Sequence, residues 1–226
     1  MKKKEVRSRI EQVGIVPVVR ASSSEEARFA AEAVAKGGIP IVEITMTVPG
    51  ALQVIEDLVE SMPDLLVGAG TVLNKKMARE CAEAGAQFLV TPGFNKHAVA
   101  VAKKLDLLIM AGALTPTEVM EAWDEGADFV KIFPCGNVGG ASYIRALKGP
   151  LPQVPLVPTG GVNLETAASY IRAGAAALGI GGELILKSAV QERKAELISD
   201  LAAVYLGLVQ DARSGKDSET KHTVKV

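Results

Sequence analysis

The chain has 226 residues, with 25 Lys and Arg against 26 Asp and Glu, a net charge of −1 and 48% hydrophobic residues. That is enough for one large domain with a substantial core, and α/β barrels of this size form single domains. Near-neutral charge without a basic stripe or nucleic-acid motif argues against DNA or RNA as a partner. The apolar stretches are short and broken by glycine or proline, and the charged start "MKKKEVRSRIEQVG" has no signal core, so no membrane is expected and the protein reads as cytoplasmic.

After an N-terminal helix, short β-rich apolar runs alternate with helical periodicity at a spacing of about 20 to 25 residues. The runs are "IVPVVR", "IVEITM", "LLVGAG", "QFLVTP", "LLIMAG", "FVKIFP", "LVPTGG" and "ALGIGG". Between them, "SSEEARFAAEAVAKGG" opens with serine capping and acidic residues and closes on glycine, and "NLETAASYIRAG" repeats that syntax. Continuously hydrophobic strands in βα units imply a parallel sheet. Eight units predict a closed (β/α)8, or TIM, barrel with an N-terminal helix, an open doubly wound sheet being the alternative. Residues 1–212 read as this single domain. The helical "KAELISDLAAVYLGLVQDA" packs on the barrel or on a neighbour, and the polar residues 213–226 read as a flexible tail.

Cys81 and Cys135 lack CxxC spacing, so neither a disulfide framework nor a zinc site is suggested; both read as packing residues. His97 falls at a surface helix start and His222 in the polar tail, which leaves no cluster of histidines and carboxylates for a catalytic metal. A carboxylate-bound magnesium stays open.

A barrel builds its active site at the C-terminal ends of its strands. Polar residues fall there: Arg20 on the first run, Glu43, Thr45 and Thr47 on the second, Thr71 after the third, Thr91 and Pro92 on the fourth, Lys131 in the sixth, Thr159, Gly160 and Gly161 on the seventh, Gly181 and Gly182 on the eighth. Period-2 alternation places Glu43, Thr45 and Thr47 on one face, and Lys131 with Phe133.

Lys131 sits among Phe129, Val130, Ile132 and Phe133, and a lysine is almost never buried unless it is paired or used. It snorkels out, forms a structural ion pair with Glu43, or is a desolvated amine kept partly neutral to attack a carbonyl. With Glu43 shuttling protons, the last option is class I aldolase chemistry, through a carbinolamine and an iminium. The "PTGGV" and "GIGGE" turns precede helices, where bare backbone amides suit a phosphate.

"VEITMTVP", "VGAGTVLN", "FVKIFP", "LKGPLPQVPLVPTGGVN" and "GIGG", in this order, resemble the bacterial 2-keto-3-deoxy-6-phosphogluconate aldolases, which overlap with 4-hydroxy-2-oxoglutarate aldolases; the match spans Val13 to Leu186. The resemblance implies a trimeric barrel that needs no metal or cofactor and cleaves a keto acid to pyruvate and an aldehyde. It puts the Schiff-base lysine on Lys131 and the acid/base on Glu43. Thr71 and Pro92 would hold the pyruvate end, Phe133 and Thr159 would line the pocket, and Gly160, Gly161, Gly181 and Gly182 would approach the phosphate. Some members carry arginine where this chain has Thr47; here Arg20 becomes the candidate for the substrate's anionic end, its other role being a charge on the rim. Glu183 stands where members have a small or hydroxyl residue, and a carboxylate there repels phosphate unless it turns away. Rival readings are a sugar-phosphate isomerase or epimerase on the same barrel, and a catalytically idle assembly subunit.

Overall fold

The computed structural model describes residues 1–215. Helix α1 (Lys3–Val13) precedes β1 (Ile15–Val19), α2 (Ser24–Lys36), β2 (Ile41–Thr45), α3 (Ala51–Ser61), β3 (Leu66–Gly70), α4 (Lys75–Glu83), β4 (Phe88–Val90) and α5 (Lys96–Lys104). Then come β5 (Leu108–Ala113), α6 (Pro116–Asp124), β6 (Phe129–Ile132), a 3-10 turn (Cys135–Val138), α7 (Gly140–Lys148), β7 (Leu156–Pro158), α8 (Ala167–Arg172), β8 (Leu178–Ile180), α9 (Lys187–Gln191) and α10 (Ala195–Ser214). Each of the eight predicted runs contains a strand. All pair in parallel, in the order β7-β6-β5-β4-β3-β2-β1-β8, and a bridge between Thr159 and Gly179 joins β7 to β8. The sheet therefore curls into the (β/α)8 barrel, and the open doubly wound alternative falls away.

Strands covered on both faces explain the continuous apolar runs, since every strand residue is buried. Inside, large side chains fill the space that glycines leave. A Cβ on Gly68 would lie 2.3 Å from the Phe88 ring, and one on Gly179 would lie 2.1 Å from Thr159 Oγ1. Such close approach across strands is the reason for glycine in a strand interior.

The helix starts follow their capping residues. Ser23 accepts from the Glu26 N–H, Asn74 from Met77 and Asn95 from Ala98, and Thr115 with Glu118 forms a capping box. The segment "NLETAASYIRAG" departs from the expectation. Asn163 Oδ1 accepts from the Glu165 and Thr166 N–H groups, at 3.0 and 2.9 Å, forming a turn that delays α8 until Ala167.

Helix α1 closes the end of the barrel where the strands begin. Val6 and Ile10 are buried, Lys3 pairs with Asp128 at 2.9 Å, and the Arg7 guanidinium lies 5.4 Å from the Phe129 ring centroid. Helix α10 packs on α2 and α8. It runs to Ser214, into the residues read as the start of the tail, and Arg213 donates to Gln12 O at 2.8 Å and Ala176 O at 3.0 Å. The rest of the tail from 216, with His222, lies outside the described residues. Among those described, no helix is long and apolar enough to cross a membrane, and no group of three or more His, Cys, Asp or Glu could hold a metal.

Candidate active site

Strands β2 and β6 carry Glu43 and Lys131 to the barrel interior, where they are 2% and 3% exposed. Of the three readings of Lys131, snorkelling out past the strand end does not occur. Its Nζ lies 3.8 Å from Glu43 Oε1 and 5.5 Å from the Phe133 ring centroid, and it donates no hydrogen bond to the described residues. Glu43 Oε1 is buried without a hydrogen-bond partner. A buried ion pair stabilises a fold only with close geometry and saturated hydrogen bonds, and this pair has neither. It leaves an amine and a carboxylate oxygen facing one small space.

The barrel makes that space with glycine. A Cβ on Gly70 would lie 1.9 Å from Glu43 Oε1, so β3 must be bare where the carboxylate crosses it. Gly112, paired in register with Lys131 on β5, is pressed against the Pro92 and Gly93 backbone, 2.4 Å from where its Cβ would be. Thr91, buried just past β4, accepts the Gly112 N–H on its hydroxyl at 2.9 Å. Pro92 is thereby held against β5 at Gly112, the residue that pairs with Lys131.

Thr71 follows Gly70 with φ 57, a left-handed conformation that is strained for a β-branched residue. Thr159 is 4% exposed and packs against Gly179. Gly160 and Gly161 have φ 84 and 78, which only glycine adopts freely. Their loop is tied to the 3-10 turn by Cys135 N–H to Thr159 O at 2.9 Å and Gly136 N–H to Gly160 O at 2.8 Å. Gly136 and Gly161 meet backbone to backbone, a Cβ on Gly161 falling 2.7 Å from the Gly136 Cα.

The strand-alternation argument fails for Thr47. β2 stops at Thr45, the chain turns through a Val48 N–H to Thr45 O bond of 3.0 Å, and Thr47 is exposed. Its hydroxyl still meets Thr45 Oγ1 at 2.8 Å, and Thr45 donates to Val19 O at 2.9 Å. Phe133 also lies past its strand, yet its ring reaches the Lys131 ammonium. Arg20 is exposed at the end of β1, its Nη1 3.5 Å from the position of a Cβ on Gly181; nothing lies within 4 Å of one on Gly182. Glu183 is exposed.

Sequence reasoning placed Thr45 and Thr91 at strand ends without giving them a site role, and it passed over Gly70 and Gly136. A glycine inside a strand was the available signal for Gly70. Cys81 and Cys135 are buried, and burial pushes their thiols up to about 12 and about 11, which leaves them inert as nucleophiles. A cavity of about 740 Å³ between α4 and α5, lined by Arg79, His97 and Lys104, shares no residue with this constellation.

The KDPG and KHG aldolase family model matches residues 6–201. The chain is 38% identical to the 2-dehydro-3-deoxy-phosphogluconate aldolase of Treponema pallidum over 72% of its length and 77% of that protein's. It is 33% identical to the KHG/KDPG aldolase of Escherichia coli K12 over 83% and 88%. The crystal structure of the Legionella pneumophila KDPG aldolase, with pyruvate captured as a covalent carbinolamine, superposes with a TM-score of 0.83 at 29% identity, covering 88% of this chain and 97% of that one. These matches span most of the chain, and the chain belongs to the KDPG and KHG aldolase family.

Proposed function

We propose that this class I aldolase cleaves 2-keto-3-deoxy-6-phosphogluconate to pyruvate and glyceraldehyde 3-phosphate, 4-hydroxy-2-oxoglutarate to pyruvate and glyoxylate, or both. The carrying observation is the unsaturated pair: Lys131 Nζ and Glu43 Oε1 stand 3.8 Å apart, buried and without hydrogen bonds to each other or to the described residues. The neutral amine adds to the C2 carbonyl, and the carbinolamine loses water to give an iminium. Glu43 takes the proton from the C4 hydroxyl as the C3–C4 bond breaks, and that electron pair flows into the iminium to give an enamine and the free aldehyde. Glu43 then returns its proton to C3, and water releases pyruvate from Lys131.

Thr71 and Pro92 hold the pyruvate end, Phe133 and Thr159 wall the reacting carbons, and Gly160, Gly161, Gly181 and Gly182 offer backbone amides to the distal anion, with Arg20 beside them. Thr47 acts through Thr45 at the rim. Supporting this are their positions at the strand ends, the left-handed backbone of Thr71 and the placement of Arg20 near Gly181, its Nη1 3.5 Å from where a Cβ would stand. We also read the protein as a cytoplasmic homotrimer in the Entner–Doudoroff route, requiring no cofactor.

A pyruvate-release assay tests the reading. Lys131→Met is expected to abolish cleavage of both substrates; cleavage surviving in that variant would overturn the Schiff-base mechanism and favour an electrostatic role for the lysine.

A further inference from the structure

Beside the reacting centre, between the end of β1 and the turn after β8, lies a cavity of about 600 Å³. Its polar side chains are Arg20, Ser22, Glu26, Lys187 and Gln191. Val18, paired in register with Glu43, and Gly182 line the same cavity, so it borders the barrel mouth. Gly182 is bare towards its surroundings.

The charges here do not cancel. Arg20 makes no ion pair or hydrogen bond with the described residues. The one acid in the lining, Glu26, has its carboxylate taken up by the Ser22 N–H at 2.9 Å and the Ser22 hydroxyl at 2.5 Å. Those bonds, and more weakly the charges of Arg193 and Lys187, hold the Glu26 carboxyl below its ordinary value. Arg193 is itself engaged by Glu25 and lies over the Phe29 ring. Two cations, Arg20 and Lys187, therefore line the cavity with one anion, Glu26, whose charge still acts on Lys187, and the lining keeps a net positive charge.

The repulsive Glu183 is not part of this lining. Its charge acts instead on Tyr205 of α10, whose phenol is raised first by burial and then by Glu183.

We propose that Lys187, at the start of α9, is a specificity-determining residue: with Arg20 it supplies the two positive charges that select a substrate ending in a doubly charged phosphate over the same carbon chain ending in a hydroxyl. This rests on the aldolase reading of Lys131 and Glu43. Arginine can pair bidentately with phosphate oxygens, and a second cation from Lys187 adds to the attraction for the second charge of a phosphomonoester.

The test compares kcat/KM for 2-keto-3-deoxy-6-phosphogluconate and unphosphorylated 2-keto-3-deoxygluconate in the full chain and in Lys187→Ala, Lys187→Glu and Lys187→Arg. Inorganic phosphate binding is followed by calorimetry on the same proteins. The ratio of the two kcat/KM values is expected to fall about tenfold in Lys187→Ala, the loss of one charge-assisted hydrogen bond, further in Lys187→Glu, and to recover in Lys187→Arg. Phosphate affinity should follow the same order. An unchanged ratio together with unchanged phosphate affinity overturns the proposal. If the parent chain cleaves neither substrate, the aldolase reading fails separately, and phosphate binding decides alone: dependence on Lys187 supports the subsite, and indifference to it overturns it.

Discussion

Lys131 and Glu43 could be recognised in the sequence because each puts a charge inside an apolar run. The geometry adds what the sequence could not, that the two face each other without a saturating bond. If Glu43 moves the protons, Glu43→Gln lowers kcat by about 10²- to 10⁴-fold, the usual worth of a positioned acid/base, while Lys131 stays available for adduct formation. A parallel loss of adduct would show that the carboxylate serves mainly to position the amine. Thr71 presents a different balance. Its φ of 57 stores about 1–3 kcal/mol of strain, which Thr71→Gly should release as a higher Tm while raising the KM for pyruvate-yielding substrates. A Tm that falls with no change in KM would make Thr71 a structural residue.

At the scale of elements, the glycines of the strands matter as much as the polar residues they accommodate. Gly70→Ala drives a methyl group into the Glu43 carboxylate, and overpacking of this kind costs about 1–3 kcal/mol. The variant should be destabilised and should lose activity by more than its unfolded fraction explains, measured by denaturant unfolding alongside turnover. The Glu118 capping box offers a pH signature. Hydrogen bonds from the Thr115 and Leu114 N–H groups lower the Glu118 carboxyl from its ordinary 4.5, so its folded-state value lies below its unfolded one. The resulting stability is complete above pH 4.5 and is lost as the pH falls through the lowered value. The Tm difference between the parent chain and Glu118→Gln should therefore be constant near neutrality and shrink on acidification; a difference that does not vary with pH would assign the effect to packing. At the other end of the barrel, Arg213 satisfies two carbonyls, Gln12 O in the last turn of α1 and Ala176 O just before β8, and Arg213→Ala should cost about 1–3 kcal/mol without altering KM.

Across the whole molecule, periodicity disclosed the barrel because each βα unit announces itself locally, by an apolar run, a capping residue and a glycine stop. Contacts set by register between strands were illegible. Nothing within β3 says that Gly70 lies under Glu43, or within β8 that Gly179 lies under Thr159, since those pairs depend on how neighbouring strands align. Thr47 was misplaced because alternation was carried one residue pair past the point where the chain turns. Lys187 went unnoticed because an exposed lysine on a short helix resembles any surface cation until the fold sets it on the same cavity as Arg20.

The central claim is that Lys131 is buried to act as a nucleophile, and one measurement reaches it directly: incubation with pyruvate, reduction with borohydride, and location of the added mass by peptide mass spectrometry. The account predicts a reduced pyruvate adduct on Lys131 in the parent chain and none in Lys131→Met. A folded protein that yields no adduct, or carries it on another lysine, would contradict it.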